Sequence, residues 1–192
     1  MVCGKPSFTI LLRFIFTALL LAMGSKAQAD EGMWTFDNFP IAGVNKEYGT
    51  HIDQAWLDRI RLAAVRLSTG CSASLVTAQG LVLTNHHCVR DCAQQLSSAG
   101  SDFVKDGFQT AKREDEKLCP GMVAEILSSI SDVTPTITAA TAGQTAQAFV
   151  RARDAAIAQT EKSACAGKEE QFRCQVITLY QGGQYKLYTY RK

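Results

Sequence analysis

Two adjacent histidines, His86 and His87, stand against Cys88 in the stretch TNHHCV (Thr84 to Val89), and only one other histidine, His51, occurs in the 192-residue chain. An imidazole with a pKa near ~6.5 accepts a proton and returns it close to neutral pH, which makes it the usual general base for a serine nucleophile. Such a base has to be held rigidly at the rim of a cleft. The same letters admit a second chemistry, because His86, His87, Cys88 and Cys92 offer the nitrogen and sulfur that zinc favours. Ligands on consecutive residues diverge, however, and the spacing fits neither a standard zinc finger nor a Cys-x-x-Cys-His haem attachment. Proton transfer at one imidazole of the pair and a structural histidine beside a disulfide stand as equal alternatives on spacing alone, and no metal and no cofactor is expected. The other ring of the pair is expected to point the other way and pack or hydrogen-bond, and His51 to lie at the surface or near a helix start.

The elements that must position this pair can be read on either side of it. From Ala73 to Thr84, two short apolar runs, ASLVT and GLVLT, flank AQG, where Gly80 eases a turn, and this predicts a β-hairpin. Cys71 near its beginning and Cys88 just past its end are thereby brought towards each other. Upstream, Thr50 to Leu67 places Ile52, Trp56, Ile60, Ala63 and Leu67 at helical spacing, and Thr50 with Asp53 three positions on resembles an N-cap. Trp34, Phe36 and Phe39 are expected to pack as an extended N-terminal arm. Downstream, residues 91–119 predict a short helical turn and a solvated charge run, Lys112 to Lys117. GMVAEILSSISDVT suits helix or strand, its Ser and Val content favouring strand, and Thr141 to Cys165 is rich in helix formers. The tail predicts a hairpin around Gly182-Gly183, with Tyr180, Tyr185, Tyr188 and Tyr190 as sheet surface and cross-strand packing. The chain stops at Arg191-Lys192 inside a strand whose open edge would invite pairing, so a truncated domain is expected.

Bulk properties set the compartment. Lys5 and Arg13 precede an apolar stretch, Ile15 to Met23, too short for a membrane span of about 20 residues, and Ala27-Gln28-Ala29 has the small-x-small form of a signal-peptidase site. A leader over residues 1–29 is therefore expected, with the mature chain running over 30–192. Its removal takes away Lys5, Arg13 and Lys26 and no acid, which leaves 17 basic against 18 acidic residues. No polybasic field remains for nucleic acid or an anionic membrane. Cys71, Cys88, Cys92, Cys119, Cys165 and Cys174 stay in the mature chain, an even number that suggests disulfides in an exported protein. Cys165 and Cys174 are close enough in sequence to staple the long helix to the following strand; were Cys71 to pair with Cys88, Cys92 would be left with Cys119. No internal repeat or low-complexity linker divides 30–192.

GCSASLV…GLVLTNHHCV resembles the first catalytic segment of chymotrypsin-like serine peptidases, in which a cysteine opens a strand, a hairpin follows, and the catalytic histidine immediately precedes the cysteine that closes the loop. TNHHC combined with DEGMW after the leader and DGFQTAKREDEKLCPG further on narrows the likeness to the dipeptidyl-peptidase 7 and 11 family of exported bacterial serine exopeptidases. The likeness runs from Asp30 to the tail. It implies that His87 is the catalytic histidine and that Cys71 pairs with Cys88. It also implies an α+β, mainly β chain forming part of a chymotrypsin-like double β-barrel, its N-terminal barrel incomplete and carrying peripheral helices. The expected protein is periplasmic or secreted, takes peptide substrates, releases dipeptides from their N-termini, and forms homodimers at full length; no membrane contact is expected after leader removal. In the family the triad runs His, Asp, Ser, and only the first is expected here. Gly70-Cys71-Ser72 is the nearest approach to a glycine-serine-glycine turn and belongs to the histidine hairpin, while Asp102, Asp132 and Asp154 do not match the family's aspartate motif. The chain alone is therefore expected to be inactive. The alternative is a non-catalytic exported binding module or an inactive peptidase fragment.

Overall fold

Short apolar runs separated by turns and helices assemble one antiparallel sheet. The computed structural model describes residues 34–192, so the expected leader and its cleavage site lie outside the described residues. The strands are β1 (Ala64–Leu67), β2 (Ser72–Leu75), β3 (Val82–Thr84), β4 (Ala124–Asp132), β5 (Phe172–Leu179) and β6 (Gln184–Arg191), in the order β3-β2-β1-β4-β6-β5. The sheet does not close into a barrel, and β3 and β5 are its edges. Among the described residues five α-helices accompany it: α1 (Ile41–Tyr48), α2 (Gln54–Ala63), α3 (His86–Leu96), α4 (Thr134–Thr141) and α5 (Ala146–Cys165). The expected α+β class and incomplete barrel are what is found. None of these helices is long and apolar enough to cross a membrane.

Two apolar clusters hold the unit together. Val65, Leu67, Ala73 and Cys88 form the first, with Leu75, Val82 and Ile126 packed around them; Ile137, Val176 and Tyr185 form the second, supported by Val133, Ile157 and Leu187. The first cluster joins β1–β4 to α3 and therefore carries the histidine pair. The second seats α4 and α5 on β5 and β6. As an edge strand, β5 has backbone groups left over from the ladder, and Glu161 on α5 accepts the Val176 N–H at 2.7 Å. That contact covers part of an edge that would otherwise be open to pairing.

Several expectations need correction. The upstream helix does not run from Thr50 to Leu67: α2 ends at Ala63 and the last four residues become β1, because Val65 and Leu67 are buried in the first cluster while Ala64 and Arg66 alternate outward. Asp53, not Thr50, caps α2, its carboxylate accepting the Trp56 N–H at 2.7 Å. Leu57 is the buried residue of α2, whereas Trp56 and Ile60, assigned to the inner face by periodicity, are exposed. The N-terminal aromatics do not form a buried extended arm. The chain turns with Asn38 N–H donating to the Thr35 carbonyl, Phe36 and Phe39 are half-buried, and Trp34 is exposed. The long helix begins at Ala146 rather than Thr141, α4 preceding it as a separate element. Of the four tyrosines, Tyr185 is a core residue at 4% exposure, not sheet surface. Finally, β6 has no open edge, since it pairs with β4 on one side and β5 on the other.

The strand expected at 121–134 is β4, and it carries a register shift between Leu127 and Ser129. A bulge of this kind leaves backbone groups without ladder partners. Arg61 from α2 meets that need, its Nη1 donating to the carbonyls of Leu127 at 2.6 Å and Ser128 at 2.7 Å. A second polar tie joins the N-terminal segment to the sheet: Lys186 on β6 pairs with Asp37 at 3.1 Å and with Asp132 at 3.3 Å.

Candidate active site

The histidine pair is placed by the end of a strand and the start of a helix. At the end of β3 the Thr84 hydroxyl donates to the Ser72 carbonyl at 2.9 Å, which fastens β3 to β2 at its last residue. Asn85 remains extended at the N-cap position, and α3 starts with His86 itself. The sequence suggested only a short turn near residue 91. An 11-residue helix opening on the histidines is found instead, so both imidazoles occupy its first turn, ~100° apart around the axis.

Cys88, next along, turns inward and is 7% exposed in the first apolar cluster. It is bonded to Cys71, which follows the tight β1–β2 turn where Leu67 N–H donates to the Cys71 carbonyl at 2.8 Å and Gly70 takes a φ of +91°. That φ favours glycine. Cys71–Cys88 thus pins the first turn of α3 to the β1–β2 turn, across the whole β2–β3 hairpin. The His87 ring lies in the lee of this bridge, its Nε2 at 3.8 Å from Cys71 Sγ, and the residue is exposed to solvent. A rigid, accessible imidazole is what proton transfer to and from a bound group needs.

Cys92 lies one helical turn beyond Cys88 and is bonded to Cys119; Cys165 is bonded to Cys174. All three expected pairings are present. Cys71, His87 and Cys88 bring their ligand-type atoms within 4.8 Å of one another, but the two sulfurs are spent on each other. The grouping weighed from sequence, with His86 and Cys92, is not the one brought together. His51 is exposed and precedes α2.

The three aspartates considered as orienting groups are engaged elsewhere. Asp102 accepts the Val104 and Lys105 N–H groups, both at 3.1 Å, and Asp154 pairs with Arg153 at 2.8 Å. Asp132 accepts the Thr134 N–H at 2.8 Å; Thr134, through its side chain and its backbone, with Lys186 in support, holds the carboxyl down at about 2. The charge run 112–117 is solvent-exposed, as expected. What the sequence did not suggest is a cavity on the other flank of α3, which His86 lines together with Phe103, Phe108 and Lys117. The signal available was Cys119, whose bridge folds residues 97–119 back onto the helix.

The incomplete antiparallel sheet, with a disulfide-clamped imidazole at the end of a hairpin, has counterparts among known proteins. The segment superposes on the crystal structure of DPP11 from Porphyromonas endodontalis in complex with the dipeptide Arg-Glu with a TM-score of 0.68 and 28% identity, over 84% of this chain and 25% of that one. The same enzyme in an alternate conformation gives a TM-score of 0.69 at 27% identity. In sequence, the chain is 34% identical over 133 residues to dipeptidyl-peptidase 7 of Porphyromonas endodontalis, covering 66% of this chain and 16% of the relative. It is 30% identical over 180 residues to dipeptidyl-peptidase 7 of Porphyromonas gingivalis, covering 90% and 25%. It is also 35% identical over 136 residues to the Asp/Glu-specific dipeptidyl-peptidase of Porphyromonas endodontalis, covering 67% and 18%. The chain belongs to the Peptidase S46 family, which it matches over residues 29–192. It spans only 16% to 25% of the length of these relatives.

Proposed function

We propose that this chain is the histidine-bearing segment of an exported serine-type dipeptidyl-peptidase, with His87 as general base and general acid. The observation that carries the reading is the clamp: an exposed imidazole in the first turn of α3, at 3.8 Å from the sulfur of Cys71, with its neighbour Cys88 locked in the core by the same bridge. In acyl-enzyme chemistry, the imidazole takes the proton of a serine hydroxyl as that oxygen attacks the scissile carbonyl, and gives it to the leaving amine. The aspartate and serine of such a triad have no match among these 192 residues, so the segment by itself is expected to lack turnover. Peptides are the substrate class, and the relatives' names support dipeptide release. A periplasmic or secreted location follows from the leader expected at residues 1–29, and a homodimer is proposed for the full-length protein.

The test is substitution in the full-length protein. His87→Ala abolishes dipeptide release while leaving secretion and melting temperature nearly unchanged, and His86→Ala retains measurable turnover. The reverse result would assign the base to the wrong neighbour. Full activity in both variants would remove this segment from the chemistry.

A further inference from the structure

His86 faces away from the clamp into a cavity of about 400 Å³ between α3 and the segment that follows it. Sites that take small ligands commonly enclose about 300–1,000 Å³ behind mostly apolar walls. Here Val89, Leu96, Phe103 and Phe108 supply the apolar wall, and His86 and Lys117 are the basic groups beside it. The two phenylalanine rings meet edge to face at 5.2 Å, and Lys117 Nζ sits 5.9 Å from each ring centre. Glu114, Asp115 and Glu116 precede Lys117 directly, yet among the described residues no carboxylate forms an ion pair with it. Its ammonium is thus held over an aromatic surface without an anionic partner. Cys92 and Cys119 both line the cavity and are bonded to each other, so its opposite walls are covalently joined and the space is formed in advance.

We propose that this cavity is a subsite for the peptide substrate, taking an apolar side chain against Phe103 and Phe108 while Lys117 holds a carboxylate of the same peptide. The inference rests on the reading of His87 as the base, because it is the adjacency of His86 to His87 in one helical turn that sets the cavity beside the reacting group. Apolar walls select the side chain, and an unpaired ammonium at their margin selects negative charge. Two sources supply that charge, an acidic side chain or the free C-terminus, and they are separable by experiment.

The experiment uses the full-length protein and tetrapeptides carrying Leu or Ser at each position in turn. Each is made as the free acid, as the C-terminal amide, and as the amide with Glu beside the Leu. Phe108→Ala lowers kcat/KM for Leu peptides at one position by about tenfold or more, with little change for Ser peptides. Ala93→Trp, which fills the space without removing a wall, gives the same selective loss and decides the matter if Phe108→Ala melts early. Lys117→Met lowers kcat/KM about two- to fivefold for the carboxylate that is held; a loss confined to free acids identifies the C-terminus, and a loss confined to Glu amides identifies the side chain. Equal effects of Lys117→Met on acid and uncharged amide would overturn the carboxylate assignment. Unaltered Leu-to-Ser selectivity in both Phe108→Ala and Ala93→Trp, with His87→Ala inactive, would overturn the subsite and leave the proposed function standing. If His87→Ala keeps turnover, the underlying reading fails, and equilibrium binding of the same peptides to the three variants decides the cavity separately.

Discussion

Removing the Cys71–Cys88 bridge by Cys71→Ala with Cys88→Ala should cost both stability and turnover, and the two losses should be separable. The bridge spans 17 residues in sequence, for which the loss of chain entropy in the unfolded state is worth about 3 kcal/mol. Cys88 is also a core residue, and trimming it to Ala adds a cavity cost of roughly 1 kcal/mol, so a total near 4 kcal/mol is expected. Equilibrium unfolding in guanidinium reads this directly; the slope should rise slightly as well, because an unlinked denatured chain exposes more surface. The control is the pair Cys165→Ala with Cys174→Ala, whose nine-residue span is worth about 2.5 kcal/mol and whose buried Cys165 adds a cavity cost of roughly 1 kcal/mol, at a place remote in the topology from α3. In full-length protein under conditions where each variant is folded, the first pair should lower kcat and the second should not. A first pair that costs under about 1 kcal/mol and leaves kcat intact would show that strand pairing alone positions His87, and the clamp would lose its meaning.

Other consequences follow from particular contacts. Arg61→Ala leaves the Leu127 and Ser128 carbonyls at the β4 bulge without their charged donor and should cost about 2–3 kcal/mol by thermal melting. Glu125 has only 7% of its side chain exposed and pairs with Arg173 at 2.9 Å and Arg66 at 3.8 Å. Glu125→Gln should destabilise by about 1–2 kcal/mol, less than a fully buried pair because both arginines reach solvent. Asp132 titrates at about 2 against an ordinary 3.8, with Thr134 the chief cause. A depressed carboxylate contributes stability that is present above the unfolded value and lost as pH falls through the folded one. Asp132→Asn should therefore flatten the fall in melting temperature between pH 3.8 and about 2, and an unaltered slope would show that the Thr134 and Lys186 contacts do not form in solution.

What was legible in the sequence was whatever rests on local spacing. The β2–β3 hairpin declared itself by two apolar runs around Gly80, and the tail hairpin by β-rich runs around Gly182-Gly183. Cysteine positions also served: Cys165 and Cys174 lie in consecutive elements, and once the resemblance pairs Cys71 with Cys88 across the β2–β3 hairpin, Cys92 is left with Cys119. Where the fold departs from local spacing, one cause recurs, a tertiary choice that periodicity does not encode. AVRL at 64–67 continues the α2 pattern well enough to be read as helix, yet pairing with β2 on one side and β4 on the other converts it to strand. Spacing alone puts Trp56 and Ile60 on the apolar face, but Arg61 on the same helix reaches the β4 bulge, and Leu57 is the side chain that becomes buried. At the site, two histidines in a row gave no hint that a helix starts on the first of them, since imidazole is a middling helix former and Asn85 makes no side-chain cap.

That helix start explains how two neighbouring imidazoles come to have different surroundings. A helix held at one point can still rotate about its axis, and a rotation of ~100° would exchange the places of His86 and His87. Cys88 and Cys92 are four residues apart, hence on one face, and both are the buried residues of α3. Two covalent ties on the same face, one to the β1–β2 turn and one to Cys119, fix the rotation as well as the position. His87 is thereby kept beside Cys71, and His86 beside Phe103 and Phe108. It follows that loss of the second bridge alone, by Cys92→Ala with Cys119→Ala, should blur the distinction between the neighbours. Its span of 27 residues is worth about 3.5 kcal/mol, and trimming the buried Cys92 adds roughly 1 kcal/mol. In full-length protein that is still folded, kcat should fall although the Cys71–Cys88 bridge is intact, and the selectivity for apolar residues should fall with it. A variant that loses the selectivity while keeping kcat would show that the first bridge fixes the rotation unaided.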